Sequence, residues 1–397
     1  MTTTIIISIC VLLLLAYVFD ISSFKTKIPS VILLLTVGWL VRQGAVFFQL
    51  NVPDLSSILP ILGTVGLILI VLEGSLELEL NRSKLGFISK TVIISFLPML
   101  LFCFGLAAAF QYFGNISFKD GLANAIPFGV ISSAIAIPSV QNLISKDKEF
   151  ITYESSLSDI FGVIFFNFIT LNDNIGTQSV GHFIVELFII LLVTFVATLG
   201  LSFLLSKIKH HVKFLPIILI IVLIYAVSKI YHLPGLIFIL LFGLFIGNLD
   251  ELKHFKFIQK LRPENLNKEV HKFKELISET AFLIRSLFFL LFGYLIETNE
   301  LLNQETVVWA VAITISIFVL RFIFLKLFKQ NIKPLMFIAP RGLITILLFL
   351  SIPINQVTGL ANKSLIIQVI ILTAIFMMIG LMSNKTKTDE KALEEDI

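Results

Sequence analysis

The chain reads as an all-α polytopic membrane protein with about 13 transmembrane helices. Three observations predict that class. Of its 397 residues, 57% are apolar and 14% charged, against roughly 25% charged in soluble domains, and the mean hydropathy is +0.99. Thirteen apolar stretches, each near the length that crosses about 30 Å of hydrocarbon, follow one another along nearly the whole chain. The 30 Lys and Arg gather in alternate connections: all but seven fall on one side, with Arg42, Lys119, Lys229 and Lys363 on the other and Arg285, Arg321 and Arg341 inside spans.

The predicted spans are 4–20, 28–44, 57–77, 87–112, 120–145, 150–171, 180–206, 213–230, 233–249, 276–297, 305–327, 333–354 and 363–383. The first, TTTIIISICVLLLLAYVFD, has neither a basic n-region nor a small-x-small cleavage pattern, so it is read as a mature helix rather than a signal peptide. Span 3 ends on Glu73, Glu77 and Glu79, read as a solvated cluster at a membrane boundary. Span 5, GLANAIPFGVISSAIAIPSVQNLI, contains Pro127, Gly129 and Pro138, and span 12, KPLMFIAPRGLITILLFLSIP, contains Pro334, Pro340, Gly342 and Pro353. Proline removes a backbone donor and clashes with the preceding turn, so both are predicted to be broken near the middle. Span 6, ITYESSLSDIFGVIFFNFITL, carries two carboxylates, Glu154 and Asp159, that are expensive in a bilayer and mark a functional site. The basic connector at 250–275 and the tail NKTKTDEKALEEDI at 384–397 are read as solvated linkers. Cys10 and Cys103 fall inside helices, so no disulfide framework is expected, and none of the six histidines has metal-ligand spacing.

By the positive-inside rule the basic side is cytoplasmic, which places the amino terminus outside and the carboxyl terminus inside a cell (inner) membrane. The formal charge of +4 then reflects contact with anionic lipid headgroups rather than nucleic acid. Six spans precede the seventh and six follow it in the opposite sense. A single transmembrane domain over 1–383 is therefore expected to hold two inverted six-helix repeats, about 4–171 and 213–383, joined by a linking helix at 180–206. Spans 5 and 12 occupy matching places in the two halves, and a matched pair of broken helices points to a midplane binding site.

Helix rise places Asp159 about 14 Å deep and Glu154 about 6 Å deep, with Arg285 and Arg341 at about 12 to 14 Å and Ser132 and Ser133 close to that layer. Ser158, four residues after Glu154, shares its face, whereas Asp159 is turned by about 140° from it. Asp159 can face a cavity while Glu154 faces a partner helix.

The run ESSLSD at 154–159 resembles the Glu-Ser-x-x-Asn-Asp signature on helix 6 of the monovalent cation:proton antiporter superfamily, in its sodium/proton exchanger branch. LILIVLEGSLELEL in span 3, VISSAIAIPSV in span 5, RSLFFLLFGYLIE in span 10 and PRGL at 340–343 carry the same resemblance, and it covers essentially the whole chain. The resemblance implies that Asp159 is the carboxylate that binds cation or proton, and that Glu154 forms a buried ion pair with Arg341. It implies that Ser155, with groups near Ser132 and Ser133, completes an oxygen-ligand set for a monovalent cation at Asp159, and that Arg285 occupies a region where some electrogenic relatives carry a basic residue. Glu154 and Ser158 are counted with Asp159, Ser155, Ser132 and Ser133 as candidate cation- and proton-binding residues. Relatives are commonly homodimers. Two positions depart from the pattern: Ser158 stands where electroneutral exchangers usually have Asn and electrogenic ones a second Asp, and span 5 lacks a Thr-Asp-Pro sequence.

Na⁺ or Li⁺ exchanged for H⁺ by alternating access, electroneutrally because Asp159 is the one free acid, is the expected activity, with K⁺/H⁺ exchange as the alternative. An ion channel or a non-transporting membrane sensor is the alternative from another class. Enzyme chemistry is not expected, because no buried nucleophile-and-base set or metal cluster is available, and no cofactor is expected.

Overall fold

The computed structural model describes residues 2–49, 54–78, 84–172, 176–207, 213–231, 233–249 and 263–383. Among them the chain forms α1 (Thr2–Thr26), α2 (Ser30–Phe47), α3 (Ile58–Glu77), α4 (Leu85–Gly114), α5 (Phe118–Gly129), α6 (Ser133–Ser139), α7 (Ser145–Leu171), α8 (Thr177–Lys207), α9 (Phe214–Ile230) and α10 (Gly235–Gly247). It continues with α11 (Pro263–Tyr294), the single turn α12 (Thr298–Leu301), α13 (Gln304–Leu327), a 3₁₀ turn at Leu335–Phe337, α14 (Leu343–Leu350) and α15 (Lys363–Met382). Every predicted span is occupied, eleven by one helix and spans 5 and 12 by two shorter pieces. Among the described residues nine helices are long and apolar enough to cross a membrane, the interrupted α5–α6 stretch counting as one. Glu79, Arg82, the histidines at 210, 211, 232 and 254, and the tail at 384–397 lie outside the described residues.

One boundary differs from the expectation. The connector is not simply a solvated linker, because α11 already begins at Pro263. Val270, Phe273, Ile277 and Ala281 are buried along one stripe of it while Lys272 and Glu275 face outward, so the helix has an amphipathic extension beyond the apolar core of span 10. Lys213, at the start of α9, forms an ion pair with Glu269 and anchors that extension.

Packing sorts the helices into two groups, each drawn from both halves of the chain. α4 to α7 pack together with α13 to α15, and α1 to α3 pack with α8 to α11. The groups meet chiefly where α3 lies against α6, α7 and α14. At one end α12 bridges them: Glu297 pairs with Arg42 on α2 at 2.9 Å and Glu300 with Lys363 on α15 at 2.9 Å. The crossing of α2 and α11 depends on glycine. A Cβ at Gly38 would lie 2.8 Å from the Tyr294 nitrogen, and one at Gly293 would lie 2.9 Å from the Leu35 Cα, both contacts being with backbone that cannot step aside.

Gly293→Ala is therefore expected to destabilise the protein by about 1–3 kcal/mol, read as a lower melting temperature in detergent. Gly105→Ala, where nothing lies within 4 Å of the added Cβ, should be neutral or stabilising, as helix propensity alone dictates.

Candidate functional site

The site forms where the two broken spans cross. α5 ends at Gly129, Val130 and Ser132 are extended, and α6 starts at Ser133. Opposite, the chain leaves the 3₁₀ turn at Phe337 and re-enters a helix only at Leu343. The two gaps join through the Ser132 N–H, which donates to the Pro340 carbonyl at 2.9 Å. A Cβ at Gly342 would lie 2.9 Å from the Ser132 Oγ, so a larger residue there would displace that hydroxyl.

α7 lies across this crossing and supplies what the broken backbone lacks. Ser158 Oγ accepts the Ile131 N–H at 2.9 Å. Asp159 Oδ2 accepts the Ser133 N–H at 3.4 Å and the Ser133 hydroxyl. Asp159 is 1% exposed, and its second oxygen, Oδ1, is buried without a hydrogen-bond partner, as is the Ser132 Oγ. Ser155 is also buried, with its hydroxyl donating to the Ile151 carbonyl of its own helix at 2.7 Å. Asp159, Ser133, Ser132 and Ser158 are thus brought together by the α5–α6 gap, while Ser155 lies one turn before Asp159 on α7 and makes no bond to that gap. A carboxylate oxygen and hydroxyls of this kind are hard donors, suited to a proton or a small hard cation.

Glu154 does not pair with Arg341, contrary to the expectation. Its carboxylate is held bidentately by Arg321 on α13, at 2.7 and 2.8 Å, and Arg321 Nε donates to the Leu335 carbonyl at 2.6 Å. Arg341 is drawn elsewhere by the helix break. A helix end leaves its last carbonyls without intrahelical partners, and Arg341 donates to two of them, Phe128 O at 2.6 Å and Gly129 O at 3.4 Å, and to Ala339 O at 3.1 Å. Glu154, Ser158, Arg321 and Arg341 line a shared small cavity of about 40 Å³, room for a water-sized guest. Arg285 lies apart from this group, 4.0 Å from Glu73, whose other oxygen accepts the Ser278 hydroxyl at 2.6 Å. Glu73 is accordingly a paired, largely buried group rather than part of a solvated cluster.

Arg321 is the residue that sequence reasoning left without a role, although its signal was present. It stands six residues from the end of span 11, about 9 Å deep by helix rise, closer to the depth of Glu154 than Arg341 is.

Two larger cavities open between the helix groups on either side of Asp159. One, of about 450 Å³, reaches Glu77, Lys84, Glu149, Thr152 and Lys274. The other, of about 270 Å³, reaches Thr64, Val163, Asn167, Lys229 and Ser351. Thr152 precedes Asp159 on α7 by about 11 Å of helix rise and Asn167 follows it by about 12 Å, so the carboxylate stands midway between them.

Glu154→Gln would leave the Arg321 guanidinium buried and uncompensated, a loss of about 3–5 kcal/mol. The expected result is a large fall in melting temperature that Glu154→Gln combined with Arg321→Gln partly reverses, whereas Arg341→Gln combined with Glu154→Gln gives no such recovery.

The chain superposes on two structures of the sodium proton antiporter MjNhaP1 from Methanocaldococcus jannaschii. The structure at pH 8 gives a TM-score of 0.65 at 17% identity, covering 99% of each chain. The electron-microscopy structure gives 0.66 at 16% identity, covering 96% of this chain and 95% of that one. These likenesses show a common fold. No curated protein matches by sequence. The transmembrane sodium/hydrogen exchanger family matches over residues 9–383, nearly the full length, and the chain, a multi-pass membrane protein, belongs to that family.

Proposed function

We propose that this protein exchanges Na⁺ or Li⁺ for H⁺ across a cell membrane, one for one, at Asp159. The observation that carries the reading is the Asp159 carboxylate itself: buried between two cavities, with one oxygen held by Ser133 and the other without a partner. A carboxylate in that position holds a cation or a proton and not both. Mutual exclusion at one site that opens alternately to each cavity suffices to couple the two fluxes.

In this reading Ser132, Ser133 and Ser155 supply further oxygens to the cation. Ser158 and Arg341 hold the α5–α6 gap in shape, Glu154 and Arg321 brace α7 against α13, and Arg285 balances Glu73. Electroneutral exchange follows from the charges: Ser158 is neutral and Glu154 is engaged by Arg321, which leaves Asp159 as the free acid at the crossing. The distribution of Lys and Arg supports an amino terminus outside and a carboxyl terminus in the cytoplasm. The two interrupted spans support inverted repeats at about 4–171 and 213–383, and family relatives suggest a homodimer. Potassium in place of sodium is the second reading, because a set of oxygen donors does not by itself select between them.

Purified protein in proteoliposomes with an internal pH dye should show proton movement on addition of Na⁺ or Li⁺, and Asp159→Asn should abolish it while keeping the wild-type melting profile. A signal with K⁺ alone would transfer the assignment to potassium. No signal with any cation across a range of pH would favour a channel or sensor. An imposed membrane voltage should drive no cation uptake by itself, and uptake driven by voltage alone would refute one-for-one exchange.

A further inference from the structure

We infer that Lys229 sets the cation affinity of one face of this protein by placing a lone positive charge in the cavity through which ions reach Asp159 from that side. The inference rests on the exchange reading and adds a specificity-determining residue to it. The cavity of about 270 Å³ is walled by α3, α7, α9 and α14 and carries polar groups from Thr64, Asn167, Thr170 and Ser351. Among the described residues Lys229 is the one charged residue lining it, and no carboxylate there pairs with it.

Two features tie that charge to the route. Val163 and Asn167 follow Asp159 at four and eight residues on α7, so the face of the helix that bears the carboxylate runs directly into the cavity. Lys229 lies in the last turn of α9, one turn beyond Tyr225, and both line the cavity. The α9 carbonyl end favours an ammonium there. The cavity at the other end differs in kind. It is lined by acids and bases together, Glu77 and Glu149 with Lys84, Lys148 and Lys274, and Lys84 and Glu149 are 2.7 Å apart, so an entering cation meets carboxylates there as well as ammonium groups.

Asn167, in the same cavity, lies about 12 Å of helix rise from Asp159; at a separation of that order and low ionic strength, a unit charge at an effective dielectric between that of a protein surface and that of water changes cation affinity by about two- to tenfold. A side chain that merely reached the lipid headgroups would change it on neither face.

The test measures the KM for Na⁺ separately on each face, in right-side-out and everted vesicles, for wild type, Lys229→Gln, Lys229→Arg and Lys229→Glu. Lys229→Gln should lower KM by about two- to tenfold on one face and leave the other face unchanged; Lys229→Glu should lower it further on the same face, and Lys229→Arg should keep the wild-type value. Inert salt should shrink the difference between wild type and Lys229→Gln. Equal KM on both faces for wild type and Lys229→Gln, or an equal shift on both faces, would overturn the role of Lys229 while leaving exchange intact. A wild type that moves no proton with any cation would remove both.

Discussion

A helix broken inside a bilayer must find partners for every backbone group it unpairs, because the hydrocarbon offers none. That constraint organises this protein. The two gaps, after Gly129 and after Phe337, satisfy one another once, through Ser132 and Pro340. Local backbone turns meet some of the rest, such as Ala339 N–H to the Phe337 carbonyl, and side chains meet more: Ser158 takes the Ile131 N–H, Asp159 takes the Ser133 N–H, and Arg341 takes the carbonyls of Phe128, Gly129 and Ala339. The residues that would do the chemistry are therefore also those that complete the backbone. A substitution among them alters shape and charge together, which is why melting profiles and transport must be read side by side.

The buried charges balance in a way that bears on exchange. Around the crossing there are two guanidinium groups, Arg321 and Arg341, and two carboxylates, Glu154 and Asp159, all nearly inaccessible. Glu154 and Arg321 cancel as a bidentate pair. Arg341 has carbonyl partners and, among the described residues, no carboxylate in ion-pair contact. Asp159 carrying Na⁺ and Asp159 carrying H⁺ have the same net charge, and only the empty carboxylate differs. On the exchange reading, the two loaded forms are electrostatic equivalents, and a conformational change available to one is available to the other.

Much of this was legible in the chain. Hydropathy located the spans because a bilayer imposes both a length and a composition, and Pro and Gly together located the interruptions because Pro lacks the ladder's donor and Gly weakens the helix. The divergent faces of Glu154 and Asp159 follow from helical periodicity alone, and in the structure they meet α13 and α6 respectively. What escaped was the choice among partners. Arg341 was matched to Glu154 because the family resemblance implied that pair; where the backbone unwinds, the nearest strong acceptors are the orphan carbonyls of α5. Glu73 stands near the end of an apolar run and so looked solvated, but the amphipathic start of α11 covers that end and brings Ser278 to it. Periodicity reports a face, and only the fold reports what lies against that face.

Ser158 connects these strands. The Ile131 N–H needs an acceptor, and a serine hydroxyl supplies it with the smallest polar side chain available. The space left beside it is the cavity of about 40 Å³ into which Glu154, Arg321 and Arg341 also project. A carboxylate at position 158 would fill part of that space and stand beside Arg341, giving the crossing a second acid whose charge must change or be compensated in each cycle. With a hydroxyl there, backbone satisfaction is retained and the titratable chemistry stays on one residue. The same small side chain thus serves the architecture and, on the exchange reading, limits the charge moved by leaving Asp159 as the single acid at which cation and proton would compete.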